Sequence, residues 1–232
     1  MASNAPEKQQ DFPPTDRTRV KRLHERGHYD RATVHAILDA GLVCHVSYVI
    51  DGQPYATPTS YWREHDRLYW HGSSASRMLE NLATGIPVCV TVTHFDGLVL
   101  ARSGFHSSIN YRTVMALGVA TLVTDEGIKL RALEAFVERA TPGRWADLRP
   151  VTAQELKATT VVSMPLREVS AKVRTGPPKD DAEDYALDVW AGVLPLRLTA
   201  DPAIADPKLK TGVALPGYLK SFALDRYGKA KG

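Results

Sequence analysis

The stretch LYWHGSSASRML, residues 68–79, combines side chains that are suited to binding an anion. An apolar run ends at His71, and Gly72, three serines and Arg77 follow before an apolar helical pattern begins. Glycine lets a backbone approach a ligand closely, serine hydroxyls can donate hydrogen bonds, and a guanidinium fork matches phosphate. We interpret the stretch as a candidate phosphate-binding turn. The alternative is that Ser76 caps a helix and that Arg77 is an ordinary surface residue.

Two further groups of residues could line a ligand site. Tyr111 and Arg112 open an apolar strand, which places a flat ring and a second cation at its start. Lys172 and Arg174 share one face of a later strand, and Trp190 lies in a short loop before another apolar run. Such clusters at the mouth of a barrel are typical of ligand sites. The alternatives are an ordinary strand start and a tryptophan that anchors the C-terminal segment on the core.

Several common catalytic motifs are ruled out by their context or are missing. HERGH, residues 24–28, matches the two-histidine zinc pattern, which needs a helix to bring both imidazoles to one metal. Gly27 interrupts that pattern, so we predict a solvated connection and no metal site. The sequence has no Gly-x-Gly-x-x-Gly or Walker loop and no Gly-x-Ser-x-Gly elbow, which leaves nucleotide-loop and hydrolase chemistry without support.

The composition is that of one ordinary globular domain. The chain has 232 residues, 44% hydrophobic and 24% charged, and a net charge of +3 that is too weak to indicate nucleic acid. No run of eighteen apolar residues predicts a membrane span. Cys44 and Cys89 lie in apolar runs, as reduced buried thiols of a cytoplasmic protein do. We predict a disordered or extended tail over 1–19, a domain over 20–200 and an extension over 201–232.

The hydrophobic pattern of the first half predicts one helix followed by a meander of strands. The helix begins after Asp30 and ends at Gly41, and its apolar face is formed by Val34, Ile37 and Leu38. Three strands follow in LVCHVSYVI, QPYATPTSYW and RLYWHG, the first two joined by a two-residue Asp-Gly turn. A short helix, SRMLENLATG, closes at Gly85.

The second half predicts further strands and one longer helix. PVCVTVTHF is a strand that a loop follows, and NYRTVMALGVATLV is a central strand with two apolar faces. From Asp125 the pattern is helical, with an apolar face of Leu130, Leu133, Phe136, Val137 and Ala140. The last long strand shifts phase at Arg167 and Glu168, which predicts a bulge. About six strands without βαβ alternation predict a mainly β (α+β) antiparallel barrel with peripheral helices.

Taken in order, P-T-S-Y, Y-W-H-G-S and N-Y-R-T-V resemble the pyridoxamine 5′-phosphate oxidase-like flavoproteins. The resemblance covers about residues 17–200 and is greatest to the branch that contains the nitroimidazole-resistance-type proteins. It implies the FMN-binding split barrel, a six-stranded antiparallel barrel that works as a homodimer with flavin sites at the interface. A small-molecule substrate is implied as the other partner, with neither nucleic acid nor a membrane.

The resemblance also implies a set of cofactor-binding residues. In relatives the P-T-S-Y backbone runs along the isoalloxazine ring, the H-G-S stretch borders the ribityl chain, and the Ser-Arg pair binds the phosphate. The set carried onto this chain is Pro58, Thr59, Ser60, Tyr61, His71, Gly72, Ser73, Ser76, Arg77, Tyr111, Arg112 and Trp190, the last from the partner subunit. Many relatives have lysine at the position of Arg77. The C-terminal Arg-and-His pattern that serves vitamin B6 oxidation is missing here.

These features support three hypotheses for function. The first is an FMN-dependent oxidoreductase that passes hydride or electrons between a nicotinamide donor and a small organic acceptor, with His71 as a candidate proton donor. The second is a haem-binding protein, with His71, His94 and His106 as candidate ligands. The third is a flavin carrier without turnover. A deazaflavin in place of FMN is a variant of the first.

Overall fold

The structure, a computed structural model, describes residues 11–220 and residue 222. Its strands are β1 Gly27–His28, β2 Val43–Ile50, β3 Gln53–Glu64, β4 Arg67–Ser73, β5 Pro87–Leu100, β6 Ser108–Val119, β7 Thr121–Leu122, β8 Thr159–Pro165, β9 Glu168–Arg174 and β10 Gly192–Pro195. The helices are α1 Arg31–Asp39, α2 Arg77–Leu82, α3 Glu126–Ala140, α4 Ala153–Ala158 and α5 Gly217–Lys220. The predicted antiparallel β class with peripheral helices is confirmed, although the described residues form ten strands and not six.

The sheet has the order β1-β9-β6-β5-β2-β3-β4-β8-β7, and β10 adds to the far end of β5. The long strand β3 belongs to both halves, because residues 53–60 pair with β2 and residues 61–64 pair with β4. The predicted two-residue turn between β2 and β3 is confirmed, since Asp51 and Gly52 both adopt positive φ. Bending along β3 thus curls one antiparallel sheet into a barrel.

The predicted bulge near Arg167 and Glu168 is wrong, because the chain changes position in the sheet there. β8 pairs with β4 and β7, whereas β9 pairs with β6 and β1. The backbone N–H of Leu166 donates to the carbonyl of Asp66 (2.8 Å) at this crossing. The shift in hydrophobic phase therefore marks the split of the barrel.

Helix α1 closes one side of the barrel core. Asp30 is its N-cap and accepts a hydrogen bond from the N–H of Thr33 (2.8 Å), as predicted, and the predicted apolar face is buried. Gly41 does not end the helix in the left-handed conformation. A Cβ at Gly41 would lie 3.0 Å from the hydroxyl of Tyr61, so glycine is needed there for close packing.

Helix α3 packs on the outer side of β3, β4 and β8 as a second layer. It begins at the predicted position, since Asp125 accepts a hydrogen bond from the N–H of Ile128 (2.7 Å). The buried face is centred on Ala132 and Phe136, which pack with Trp62. Leu130, part of the predicted face, stays exposed, so the face is rotated from the one predicted.

The two terminal segments differ in how they pack. Of the predicted tail, residues 1–10 lie outside the described residues, whereas Phe12 and Thr18 are buried against the barrel. Residues 196–216 run without regular structure and are largely exposed, and residue 221 and residues 223–232 lie outside the described residues. Within the described ranges, no helix is long and apolar enough to cross a membrane.

Candidate functional site

The turn between β4 and α2 is held in place by backbone hydrogen bonds and by Ser73 Oγ, which accepts a hydrogen bond from the N–H of Ala75 (3.2 Å). Within the described residues the hydroxyls of Ser74 and Ser76 make no hydrogen bond. The N–H of Ser76 donates to the carbonyl of Ser73 (2.9 Å), and the N–H of Ser74 donates to the carbonyl of Ala158 (2.8 Å). Ser76 occupies the N-cap position of α2, but its side chain makes no capping hydrogen bond. Its hydroxyl is therefore available to a ligand. This argues against the alternative that Ser76 serves only to cap the helix.

Arg77 places a cation beside this turn without a carboxylate to neutralise it. Its guanidinium carbon lies 4.5 Å from the centre of the Tyr55 ring, and Tyr55 stacks in turn on Tyr48 at 5.5 Å. Among the described residues, Arg77 takes part in no ion pair. The aromatic ring therefore positions the guanidinium, and its charge remains free for an anion.

Alternation along β3 and β4 divides the predicted stretch between the two faces of the sheet. The side chains of Pro58, Ser60, His71 and Ser73 face outward, and those of Thr59 and Tyr61 face the barrel interior, as the Cα position of Gly72 does. The Tyr61 hydroxyl donates to the carbonyl of Leu38 in the core, and burial raises the pKa of Tyr61. Only its backbone can thus serve a ligand on the outer face. Gly72 lets α2 approach β4, since a Cβ there would lie 3.1 Å from Leu79.

His71 lies in an aromatic recess between the outer face and α3. Its ring centre is 4.6 Å from that of Phe136 and 5.9 Å from that of Trp62. The Nδ1 atom is buried and has no hydrogen-bond partner in the described part of the chain. Burial lowers the pKa of His71, so the imidazole is neutral at pH 7. The sequence did not reveal these aromatic walls, although the outward position of Trp62 is a signal that could have done so.

Two of the three histidines that could bind haem are engaged within the chain. His94 Nε2 lies 2.9 Å from the carbonyl oxygen of Ile37, and His106 Nε2 lies 3.1 Å from Asp181 Oδ2. Burial lowers the pKa of His94 as well. Of the three, His71 alone makes no hydrogen bond within the described ranges.

One chain does not bring all the predicted site residues together. Tyr111 and Arg112 lie on β6, which is separated from β4 by β5, β2 and β3. Arg112 is not a free cation, because Asp96 accepts two hydrogen bonds from it, each of 2.9 Å. Trp190, two residues before β10, is 69% exposed and packs against Gly192. The predicted residues therefore form one group at β3, β4 and α2 and another around β6 and β10.

The outer face of the sheet between these two groups is uncovered and partly apolar. Val43 and Val49 on β2 and Val119 on β6 are all more than two-fifths exposed. A shallow cavity of about 420 Å³ lies at one end of this face, where Ser47, Cys89 and Leu117 are among the lining residues. Exposed apolar area of this kind on a sheet indicates a contact surface.

Three half-buried histidines make the stability of the fold sensitive to acid. Burial is the largest cause that lowers the pKa values of His35, His71 and His94 below the ordinary 6.5. The unfolded chain therefore binds more protons below that pH, and stability is lost as the pH falls through it. We expect a lower melting temperature at pH 5.5 than at pH 7.5, measured by circular dichroism. His94→Gln should reduce this difference, and equal melting temperatures for the unmodified protein would contradict the reasoning.

Comparison with protein families identifies one match, and it covers most of the fold. The family described as Pyridoxamine 5′-phosphate oxidase matches residues 30–173. This range begins at the N-cap of α1 and ends in β9, so it includes both barrel halves and the turn before α2. A comparison with curated proteins finds no match.

Among the solved structures that match, two are similar over most of the chain. The flavocytochrome Anf3 from Azotobacter vinelandii is 48% identical, with a TM-score of 0.87 over 91% of this chain and 98% of that chain. The FAD and heme binding protein from Mycobacterium smegmatis is 35% identical, with a TM-score of 0.82 over 86% and 98%. A candidate 5-nitroimidazole antibiotic resistance protein from Bacteroides thetaiotaomicron is 22% identical, with a TM-score of 0.52 over 63% and 86%, and shows the fold alone.

Proposed function

This chain belongs to the pyridoxamine 5′-phosphate oxidase family, and from that premise we propose that it is a flavin-binding oxidoreductase. The observation that carries the proposal is the guanidinium of Arg77, which has no ion-pair partner among the described residues and follows three serines at the end of β4 and in the turn after it. Phosphate is the anion that such a group fits. The two relatives of higher identity are a flavocytochrome and an FAD and heme binding protein, which supports a flavin as the ligand.

The residues present fit the phosphate end of a flavin. Ser73, Ser74, Ser76 and Arg77 would hold the phosphate, because the turn fixes their backbones and brings three hydroxyls and a cation into a short contiguous stretch before α2. The outward strip with Pro58 and Ser60 would carry the ring system. An FMN unit satisfies this arrangement, and FAD contains the same unit with an adenylate added.

The chemistry of the reaction would come from the flavin, which accepts and donates hydride when bound. The chain would bind and orient the ring along β3 and keep water from one side of it through Trp62 and Phe136. His71 is the titratable side chain of this recess, and its neutral imidazole can carry a proton on Nε2. The proposed reaction passes hydride or electrons from a nicotinamide donor to a small organic acceptor.

We propose that the working form is a homodimer with the flavin at the interface. The site residues of one chain lie in two groups that are four strand positions apart, so a second copy is needed to complete one site. The outer face of β2, β5 and β6 is uncovered and carries exposed valines, which suits it to pack against its own copy. Trp190, exposed at the edge of that face, would reach the partner's flavin.

Haem is a second candidate ligand, for one specific reason. His71 has a neutral imidazole with no hydrogen bond among the described residues, and it lies in an aromatic recess next to the proposed flavin strip. Neutral imidazole is a haem-iron ligand, and the names of both relatives mention haem chemistry. A protein that holds both groups would pass single electrons between them.

The flavin proposal is tested by the visible spectrum of the purified protein. We expect a two-banded flavin spectrum that bleaches on addition of NADPH or NADH. Arg77→Ser removes the cation and should weaken FMN binding about tenfold or more, as loss of charge-assisted hydrogen bonds does. Arg131→Gln removes an exposed charge on α3 and should leave FMN affinity unchanged.

A protein that neither carries flavin after purification nor binds added FMN or FAD would contradict the proposal. Bound flavin that neither nicotinamide reduces would instead favour a carrier, and would reject the oxidoreductase role with these donors. If Arg77→Ser and the unmodified protein bind FMN with equal affinity, the phosphate is not bound at the turn before α2.

A further inference from the structure

A group of three cations lies at the β9 edge of the sheet without matching negative charge. Lys172 and Arg174 project from the outer side of β9, and Arg26 directly precedes β1, which pairs with β9. Within the described residues, the ion pair of this group is that of Arg26 with the exposed Glu25, at 3.8 Å. Lys172 and Arg174 have no carboxylate within ion-pair distance there.

Arg174 is held in place by a hydrogen bond, and the positive charge of Arg26 lies close to it. One of its terminal nitrogens donates to Asn110 Oδ1 (2.8 Å), and Asn110 is itself buried. Burial and then the charge of Arg26 lower the pKa of Arg174. Like charges held close together destabilise the fold unless an anion lies between them, which makes such a cluster a candidate ligand site.

Aromatic and hydroxyl side chains continue the same face onto the neighbouring strands. Tyr111 on β6 pairs with Arg174 on one side and with Phe95 on the other, and Phe95 is 47% exposed. Cross-strand pairs of this kind stand about 5 Å apart, so the two rings and the guanidinium form one row. The next row is Lys172, Thr113 and Thr93, with 2.9 Å between the two threonine hydroxyls.

We propose that these residues form a second ligand site, which binds the adenylate part of a redox nucleotide. We call it the β9 platform, and its members are Arg26, Phe95, Tyr111, Lys172 and Arg174. The cations receive the phosphate, and the two rings offer flat surfaces on which adenine stacks. The platform is separate from the phosphate-binding turn, because β5, β2 and β3 lie between β6 and β4.

The nature of the nucleotide rests on the proposed function. An oxidoreductase with a flavin and a nicotinamide donor handles two ligands that contain adenylate, namely FAD and the donor itself. In a dimer the platform of one chain could serve the flavin of the partner's turn. Alternatively, it could hold the donor while its nicotinamide reaches the flavin. The chemistry recognised by the platform is the same in both cases.

The first test measures binding of 5′-AMP by isothermal titration calorimetry at low ionic strength. We expect the protein to bind AMP more tightly than inorganic phosphate, and Lys172→Gln to weaken AMP binding about fivefold. The side chain of Lys172 makes no hydrogen bond or ion pair in the described part of the chain, and its backbone pairing with β1 and β6 is kept by glutamine. Arg131→Gln on α3 is the matched control and should bind AMP as the unmodified protein does.

Absence of AMP binding, or equal AMP affinities of Lys172→Gln and the unmodified protein, would overturn the proposal. AMP binding no tighter than that of phosphate would reject the stacking of adenine.

The second test separates the two sources of adenylate. If the platform binds the flavin, Lys172→Gln lowers the affinity for FAD and not that for FMN. If it binds the donor, the change raises the KM for NADPH or NADH and leaves both flavin affinities unaltered. No change in any of these would overturn the assignment to a redox nucleotide. A protein that binds AMP at the platform but no flavin would refute the proposed function and not the platform.

Discussion

Asp96→Asn is expected to destabilise the protein by about 2–4 kcal/mol. The Arg112 side chain is only 13% exposed, and Asp96 accepts two hydrogen bonds of 2.9 Å from it. The Nη1 atom of Arg112 is buried without a hydrogen-bond partner in the described residues, so Asp96 supplies its neutralisation. Asparagine keeps the shape of the side chain but removes the charge. A cation would then remain in a poorly solvated position.

Urea denaturation followed by circular dichroism measures this loss. Asp188→Asn changes an exposed aspartate on the loop before β10 and should alter the free energy of unfolding by less than about 0.5 kcal/mol. The double variant Asp96→Asn with Arg112→Met should recover much of the stability, because the unpaired charge is gone. An Asp96→Asn variant as stable as the unmodified protein would show that water neutralises Arg112.

Elements set by short-range rules were predictable from the sequence. The Asp51-Gly52 hairpin, the Asp30 cap of α1 and the Asp125 cap of α3 each depend on residues within a few positions of one another. These preferences act in the unfolded chain as well as in the folded one, so they can be read without knowledge of the fold. The same holds for the turn before α2, whose residues 72–77 are contiguous.

Features that depend on distant partners were not predictable in the same way. The phase shift at residues 167–168 has the same appearance for a bulge and for a change of sheet position, and only the pairing partners distinguish them. Gly41 has the sequence context of a helix end, but its use is set by Tyr61, twenty residues away. The buried face of α3 differs from the predicted one because Ala132 and Phe136 pack against Trp62. The amphipathic pattern allows more than one buried face, and the tertiary contact decides between them.

The candidate site shows the same division. The cation and hydroxyls of the turn could be identified because they are contiguous, whereas the pairing of Arg112 with Asp96 joins two strands across a bulge. That pairing removes Arg112 from the three cations expected at the mouth of the barrel. The free cations at the platform are Lys172 and Arg174, which the sequence placed on one strand face without indicating their aromatic neighbours. Pairing register, which brings Tyr111 and Phe95 to that face, supplies the missing information.

His71→Ala is expected to abolish specific haem binding and to spare flavin binding. The unmodified protein titrated with haemin should give a sharp Soret band that saturates at one equivalent per chain. Removing the imidazole deletes the ligand, because His94 and His106 are already engaged with Ile37 and Asp181. The Soret band should then broaden and shift to that of free haemin. FMN affinity should change less than about threefold, since the phosphate is held at Arg77.

The pH dependence of the Soret band distinguishes His71 as a haem ligand from His71 as a purely structural residue. Haem iron binds neutral imidazole, and burial lowers the pKa of His71, so the neutral form persists below the ordinary value of 6.5. We expect the haem complex to lose less of its Soret band between pH 7.5 and pH 6.5 than a complex with an exposed histidine would, because an exposed histidine is half protonated at the lower pH. His106→Ala is the matched control and should keep the Soret band. Loss of the band in both variants would indicate unfolding, and its loss in His106→Ala alone would reassign the ligand. If the unmodified protein binds flavin but never haem, the recess around His71 serves the flavin reaction alone, with the imidazole as its proton donor.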